Sequence, residues 1–215
     1  MQYARRRKEF NGMTLTDERP AAGSIPVARR AMIDSQLRPS GVNDPAVLAA
    51  FGRTPREDHV PASLATTCYN DRAVPLGAGR YLAAPLVHGK MLVEAAPAAG
   101  DKALLVSGGS TYLEALLRPM VGSLDVIDAA DAQKGVTNAD SAYSLLLIDG
   151  AIAVLPDALA AALAENGRVV TGLAERGVTR LAAGRKVAGD VALSPLAEIG
   201  MPVLAEFAAP EGWSF

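Results

Sequence analysis

The sequence contains a single cysteine, Cys68, so no internal disulfide can form and a reducing, cytoplasmic setting is expected. No apolar run comes near the roughly 18 residues that a membrane-crossing helix needs. Arg5-Arg6-Arg7-Lys8 has no apolar stretch behind it, so the segment does not read as a secretory signal and is expected to be a solvated arm. Neither charge dominates: 21 Lys and Arg against 23 Asp and Glu give a net charge of −2. No basic field is therefore available to draw in nucleic acid or an anionic membrane. No His, Cys and Asp cluster has metal-ligand spacing, and Cys68 has no activating neighbour along the chain. Internal repeats are absent. What remains is 215 residues, half of them hydrophobic, enough for one cored domain with appendages. The expected division is an N-terminal arm over 1–26 and one domain over 27–215. Its helical part spans 27–100, and its sheet core and C-terminal hairpin span 101–215.

Local patterns fill in this frame. A helix is expected from about Val27 to Arg38, ended by Pro39 and Gly41. Asp44 stands as an N-cap before Pro45, and Val47, Leu48 and Phe51 form the buried stripe of the helix that follows. Residues 54–85 read as a long ordered segment, and Leu86–Ala96 as a helix. From Ala103 onward the texture is that of strands buried on both faces: 103–106, 124–128, 143–148 and 168–171. A helix at 112–117 separates the first two. Another opens at Pro156-Asp157 and is expected to close at Gly167, with Leu155, Leu159, Ala162 and Leu163 inward. Such alternation implies a parallel sheet with right-handed crossovers. Late strands at Val178–Val187 and Val203–Phe207, around a turn at Gly189-Asp190, are expected to be antiparallel.

Ligands of such sheets sit beyond the carboxyl ends of the strands. The turn there is Ser107-Gly108-Gly109-Ser110-Thr111, and Asp128 ends the next strand, placed to accept hydrogen bonds from ribose hydroxyls. Two glycines in a turn are equally compatible with plain turn chemistry.

The N-terminal third is more specific. Met32-Ile33-Asp34-Ser35-Gln36-Leu37, Gly41-Val42-Asn43-Asp44-Pro45 and Pro55-Arg56-Glu57-Asp58-His59-Val60-Pro61 occur in that order. Tyr69-Asn70-Asp71, Val74-Pro75-Leu76-Gly77 and Gly79 follow, and later Leu147-Ile148-Asp149-Gly150, Leu155-Pro156 and Gly167-Arg168-Val169-Val170. In order and spacing, residues 28–207 resemble the protein-L-isoaspartate O-methyltransferase family. The resemblance implies an α/β fold with a Rossmann-like methyltransferase sheet. It implies S-adenosyl-L-methionine as cofactor and isoaspartyl-containing proteins or peptides as partners. It further implies cofactor contacts at Ser107, Gly108, Gly109, Asp128 and Asp149.

Four departures shape the functional expectation. The family's Thr-Ile-Ser-Gln-Pro stretch reads Tyr81-Leu82-Ala83-Ala84-Pro85, and alanine has no side-chain donor or acceptor. The family's Gly-x-Gly-x-Gly turn carries side chains at Ser107 and Thr111, which are expected to crowd the cofactor and to strain any left-handed backbone there. The acid within the first strand is replaced by Leu105. Finally, only fourteen residues, 129–142, join Asp128 to Tyr143, too few for the family's helix, strand and Gly-Asp-Gly loop. The sheet is therefore expected to lack one edge strand and helix, with 129–142 as a loop or one short helical turn. His59 and His88 are expected to pack without catalytic roles, and Trp213 and Phe215 to anchor the tail. Two readings stay open, an active carboxyl methyltransferase and a non-catalytic module on the same fold. The departures favour the second.

Overall fold

The computed structural model describes residues 24–136 and 142–209. The N-terminal arm up to 23, the middle of the shortened connection and the tail bearing Trp213 and Phe215 lie outside the described residues. The first helix, α1, spans Ser24–Met32 and continues as a π-helical turn over Ile33–Leu37. Helix α2 spans Pro45–Arg53. Its Asp44 carboxylate accepts from the amides of Ala46 and Val47, both at 2.9 Å, as the N-cap reading required. Short 3-10 turns follow, then a hairpin of β1 (Val74–Gly77) and β2 (Arg80–Leu82), and helix α3 over Pro85–Ala95.

The main sheet has the order β4-β3-β5-β6-β7-β8. Strands β3 (Lys102–Ser107), β4 (Ser123–Asp128), β5 (Tyr143–Ile152) and β6 (Leu163–Glu175) are parallel, and β7 (Val178–Val187) and β8 (Asp190–Glu198) are antiparallel. Both faces of the parallel part are covered. Leu105, Leu145 and Leu147 point into the cluster under α2, α3 and α4 (Tyr112–Leu117). Leu104, Val106, Leu146 and Ile148 point the other way, towards α5 (Ala129–Lys134) and α6 (Asp157–Ala162). This explains why these strands read as unbroken apolar runs rather than alternating ones.

Among the described residues β4 is the outermost strand on its side, and β5, the next described strand, pairs with β3. The connection begins with α5, a helix of six residues, slightly more than the single short turn expected. Two other expectations need correcting. Helix α6 ends at Ala162, not near Gly167, and the chain is extended from Leu163. The Lys186 ammonium donates to the carbonyls of Ala160, Ala161 and Leu163, satisfying the helix end early from a distant strand. Val203–Phe207 is not the partner of β7. Ala188 and Gly189 take φ values of 53° and 89°, a two-residue hairpin turn that makes the return strand start at once, at Asp190. Residues 201–207 instead run along the end of β5, with a single bridge at Val203 and a 3-10 turn over Ala205–Phe207.

Candidate functional site

The carboxyl end of β3 opens into the turn at 107–111, between β4 on one side and β5 on the other. The Ser107 hydroxyl closes the turn on itself. It donates to the Ser110 carbonyl at 3.3 Å and accepts from the Gly109 amide at 3.2 Å. The Ser110 hydroxyl accepts from the Tyr112 amide at 3.1 Å. Gly109, with φ 105°, is the left-handed position of the turn. Thr111 has φ −85°, and Ser107 is not left-handed either, so the strain expected at these two residues is absent. Gly108 serves close approach instead: a Cβ there would stand 2.0 Å from the Asp149 carbonyl oxygen.

Asp128 ends β4 at the exposed rim. One of its oxygens accepts from the Asp131 amide at 2.7 Å and caps α5. Asp149 lies behind the turn rather than on its open side. It is buried and held by the His88 ring Nε2 at 2.8 Å, both side chains being almost wholly excluded from solvent. A bulge in β5 between Leu147 and Ala151 presents it there, with the freed Gly150 carbonyl accepting from the Thr171 hydroxyl. Ser107, Gly108, Gly109 and Asp128 thus lie together at the carboxyl ends of β3 and β4, with Asp149 packed behind them.

The interior behind the turn is more polar than the sequence pattern indicated. Arg56 is fully buried, donating to the Cys68 carbonyl at 2.6 Å and to the Ala83 carbonyl, with its guanidinium 4.9 Å from the Tyr112 ring centre. Burial holds the Arg56 guanidinium below its ordinary range and pushes the Tyr112 phenol up. His88 Nδ1 and Asp149 Oδ2 are buried without a hydrogen-bond partner among the described residues. His59 packs on Tyr112 with ring centres 5.2 Å apart, and its Nδ1 meets the Thr111 hydroxyl at 2.7 Å. Burial lowers its pKa, which keeps the ring neutral near pH 7. His59 fits the packing role expected of it, whereas His88 does more than pack, because it holds Asp149.

Over the turn stands Arg80 of β2. Its Cβ and Cγ would lie 2.9 Å from a Cβ on Gly109, so its stem covers that glycine. Its guanidinium meets both carboxylate oxygens of Glu206, with Nη1 to Oε2 at 3.0 Å. The mutual hydrogen bonds raise the Arg80 pKa and lower that of Glu206. The Glu206 carbonyl in turn accepts from the Gln133 amide of α5 at 3.0 Å. Arg80 lies inside the stretch that carries the resemblance, but nothing in its local sequence marks it as a site residue. Glu206 carries no sequence signal, because its partner is 126 residues distant. Beside the hairpin a cavity of about 350 Å³ is lined by Ala73, Tyr81 and residues 200–203.

Comparison with known proteins bears on family and fold. Residues 28–127 match the family described as Protein-L-isoaspartate(D-aspartate) O-methyltransferase. A protein-L-isoaspartate O-methyltransferase of Koribacter versatilis is 33% identical over 184 residues, covering 75% of this chain and 83% of the relative. The chain belongs to the protein-L-isoaspartate O-methyltransferase family. A relative of the same name from Methylorubrum populi is 30% identical over 165 residues, covering 66% of this chain and 78% of its own length. The fold is shared with a protein-L-isoaspartate O-methyltransferase from Plasmodium falciparum, solved in complex with S-adenosyl-L-homocysteine. The TM-score is 0.66 at 17% identity, over 83% of this chain and 98% of that one. Against the family's pattern, Ala83 and Ala84 are buried at 2% and 8% exposure and belong to the hydrophobic core. Leu105 is an ordinary core residue of β3.

Proposed function

We propose that this chain carries out its family's reaction with weakened cofactor affinity and strongly reduced turnover: methyl transfer from S-adenosyl-L-methionine to isoaspartyl carboxylates in proteins or peptides. The observation that carries the proposal is the two-glycine turn between β3 and α4, beside the acidic end of β4 and at the point where strand order reverses. The residues present fit the ribose and amino-acid end of the cofactor. Asp128 can accept from ribose hydroxyls and Arg80 is a cation beside the turn, while the space beside Gly108 and Gly109 is taken by the Asp149 carbonyl and the Arg80 stem. The adenine side fits less well, because β4 has no described neighbour beyond it. Losing on the order of 100 Å² of apolar contact at about 25 cal/mol per Å² removes about 2.5 kcal/mol, or roughly two decades of affinity.

When bound, the cofactor supplies an electrophilic methyl group on a sulfonium centre. An isoaspartyl carboxylate is already ionised at neutral pH, so the acceptor needs no general base. What the protein must provide is position, and Ala83 and Ala84 offer no side-chain polar atom for it. The same two alanines favour a second reading, a non-catalytic module that binds damaged proteins or another partner. No helix among the described residues is long and apolar enough to cross a membrane. Together with the buried thiol of Cys68, this supports a cytoplasmic site of action.

Calorimetric titration with S-adenosyl-L-homocysteine, paired with radiolabelled methyl transfer to an isoaspartyl peptide, tests both readings. Roughly millimolar binding with slow product formation is the expected result. Micromolar binding with rapid turnover would overturn the weakening. Absence of product at saturating cofactor would favour the non-catalytic module.

A further inference from the structure

The Arg80–Glu206 pair resembles a ligand contact filled from within. A guanidinium fork engaging both oxygens of a carboxylate is the geometry with which proteins recognise carboxylated ligands. Here the carboxylate belongs to the protein and stands at the entrance to the glycine turn. The segment that carries it is firmly placed. The Ala151 amide donates to the Pro202 carbonyl at 2.8 Å, the Leu204 amide to the Ala151 carbonyl at 3.0 Å, and the Ala153 amide to the Phe207 carbonyl at 2.8 Å. Leu204 is buried against Gly150, where a Cβ would meet its Cγ at 2.6 Å. Gln133 of α5 holds the Glu206 carbonyl. The backbone of this strap is therefore fixed, while the Glu206 side chain spans the gap to Arg80. Both side chains remain within reach of solvent, with exposures of 31% for Arg80 and 16% for Glu206. Exchange of one carboxylate for another on the same fork needs rotation of side chains only.

We propose that Arg80 reads the amino-acid carboxylate of the cofactor, and that Glu206 occupies Arg80 as an internal competitor until that carboxylate displaces it. The inference rests on the cofactor reading given above and adds a specificity residue and a latch to it. Asp128 pairs in register with Ser107, so a ribose at Asp128 would lie beside the turn, and Arg80 lies over Gly109 of that turn. A latch closed about nine-tenths of the time lowers apparent affinity about tenfold, since only the open fraction binds.

The test compares the full-length protein, Glu206→Gln and Arg80→Ala by calorimetry, with two probes. S-adenosyl-L-homocysteine carries the carboxylate, and methylthioadenosine keeps the adenosine and sulfur without the amino-acid end. Glu206→Gln is expected to tighten S-adenosyl-L-homocysteine about tenfold and to leave methylthioadenosine within about twofold. Arg80→Ala is expected to weaken the first probe and spare the second. Arg80→Lys, which keeps the charge and loses the fork, should fall between. If both probes tighten together in Glu206→Gln, the strap obstructs by bulk and the carboxylate role is wrong. If Glu206→Gln weakens S-adenosyl-L-homocysteine, Glu206 is a ligand of its ammonium group, and the proposal is overturned. Binding of both probes that is unchanged across the variants overturns the latch and leaves the cofactor site standing. No binding of either probe to any variant removes the cofactor reading itself, and this inference with it.

Discussion

The buried pair of His88 and Asp149 should be a stability determinant whose two halves depend on each other. Asp149 has one oxygen on His88 at 2.8 Å, and the other has no hydrogen-bond partner among the described residues. The His88→Leu substitution leaves the Asp149 carboxylate buried with no partner at either oxygen. Isolating one half of a buried charged or hydrogen-bonded pair costs about 3–5 kcal/mol, a large part of the 5–15 kcal/mol by which domains are stable. For a chain of this size that corresponds to roughly 10 °C in Tm. Asp149→Val removes the carboxylate and should restore much of the loss when combined with His88→Leu, because the double variant has no stranded charge. The coupling energy from a double-mutant cycle by urea denaturation should then be about 2 kcal/mol or more. Strict additivity, or a His88→Leu cost below about 1 kcal/mol, would refute the dependence of Asp149 on His88.

Three further outcomes are expected. Gly108→Ala should destabilise by about 1–3 kcal/mol or prevent folding, since the new Cβ meets a backbone oxygen that cannot move aside; a wild-type midpoint in urea would count against the close approach. Ala83→Ser with Ala84→Gln should not raise methylation of isoaspartyl peptide above the wild-type rate, because polar groups at 83 and 84 leave the adenine side as open as before; a clear rise in labelled product over wild type would locate the deficit in those two residues. Burial pushes the Cys68 thiol up to about 11, so native protein should resist iodoacetamide at mildly alkaline pH and react once unfolded; prompt labelling of the native state, read by mass spectrometry, would contradict its burial.

Much of the fold was legible along the chain for local reasons. The Asp44-Pro45 cap, the strand cores at 103–106 and 143–148, and the helix at 112–117 each depend on side chains within a few residues of one another. The shortened connection could be read from length, because fourteen residues cannot hold a helix, a strand and their loops. The misjudged ends depend on distant partners. Helix α6 stops where Lys186 reaches its carbonyls, and residues 203–207 follow β5 because the hairpin turn at Ala188-Gly189 claims the next segment as β8.

For the candidate site, sequence alone determined which residues form the turn and the acidic strand end, and that Ala83 and Ala84 cannot donate or accept. Side-chain chemistry and chain order settle these points without any coordinates. Only the tertiary structure decided that Ser107 and Thr111 are unstrained, that Asp149 turns inward to His88, and that Arg80 meets Glu206 over the glycine turn. Backbone angles follow from how the strands close on each other, and an ion pair spanning 126 residues exists only because the sheet brings both ends of the chain to one place.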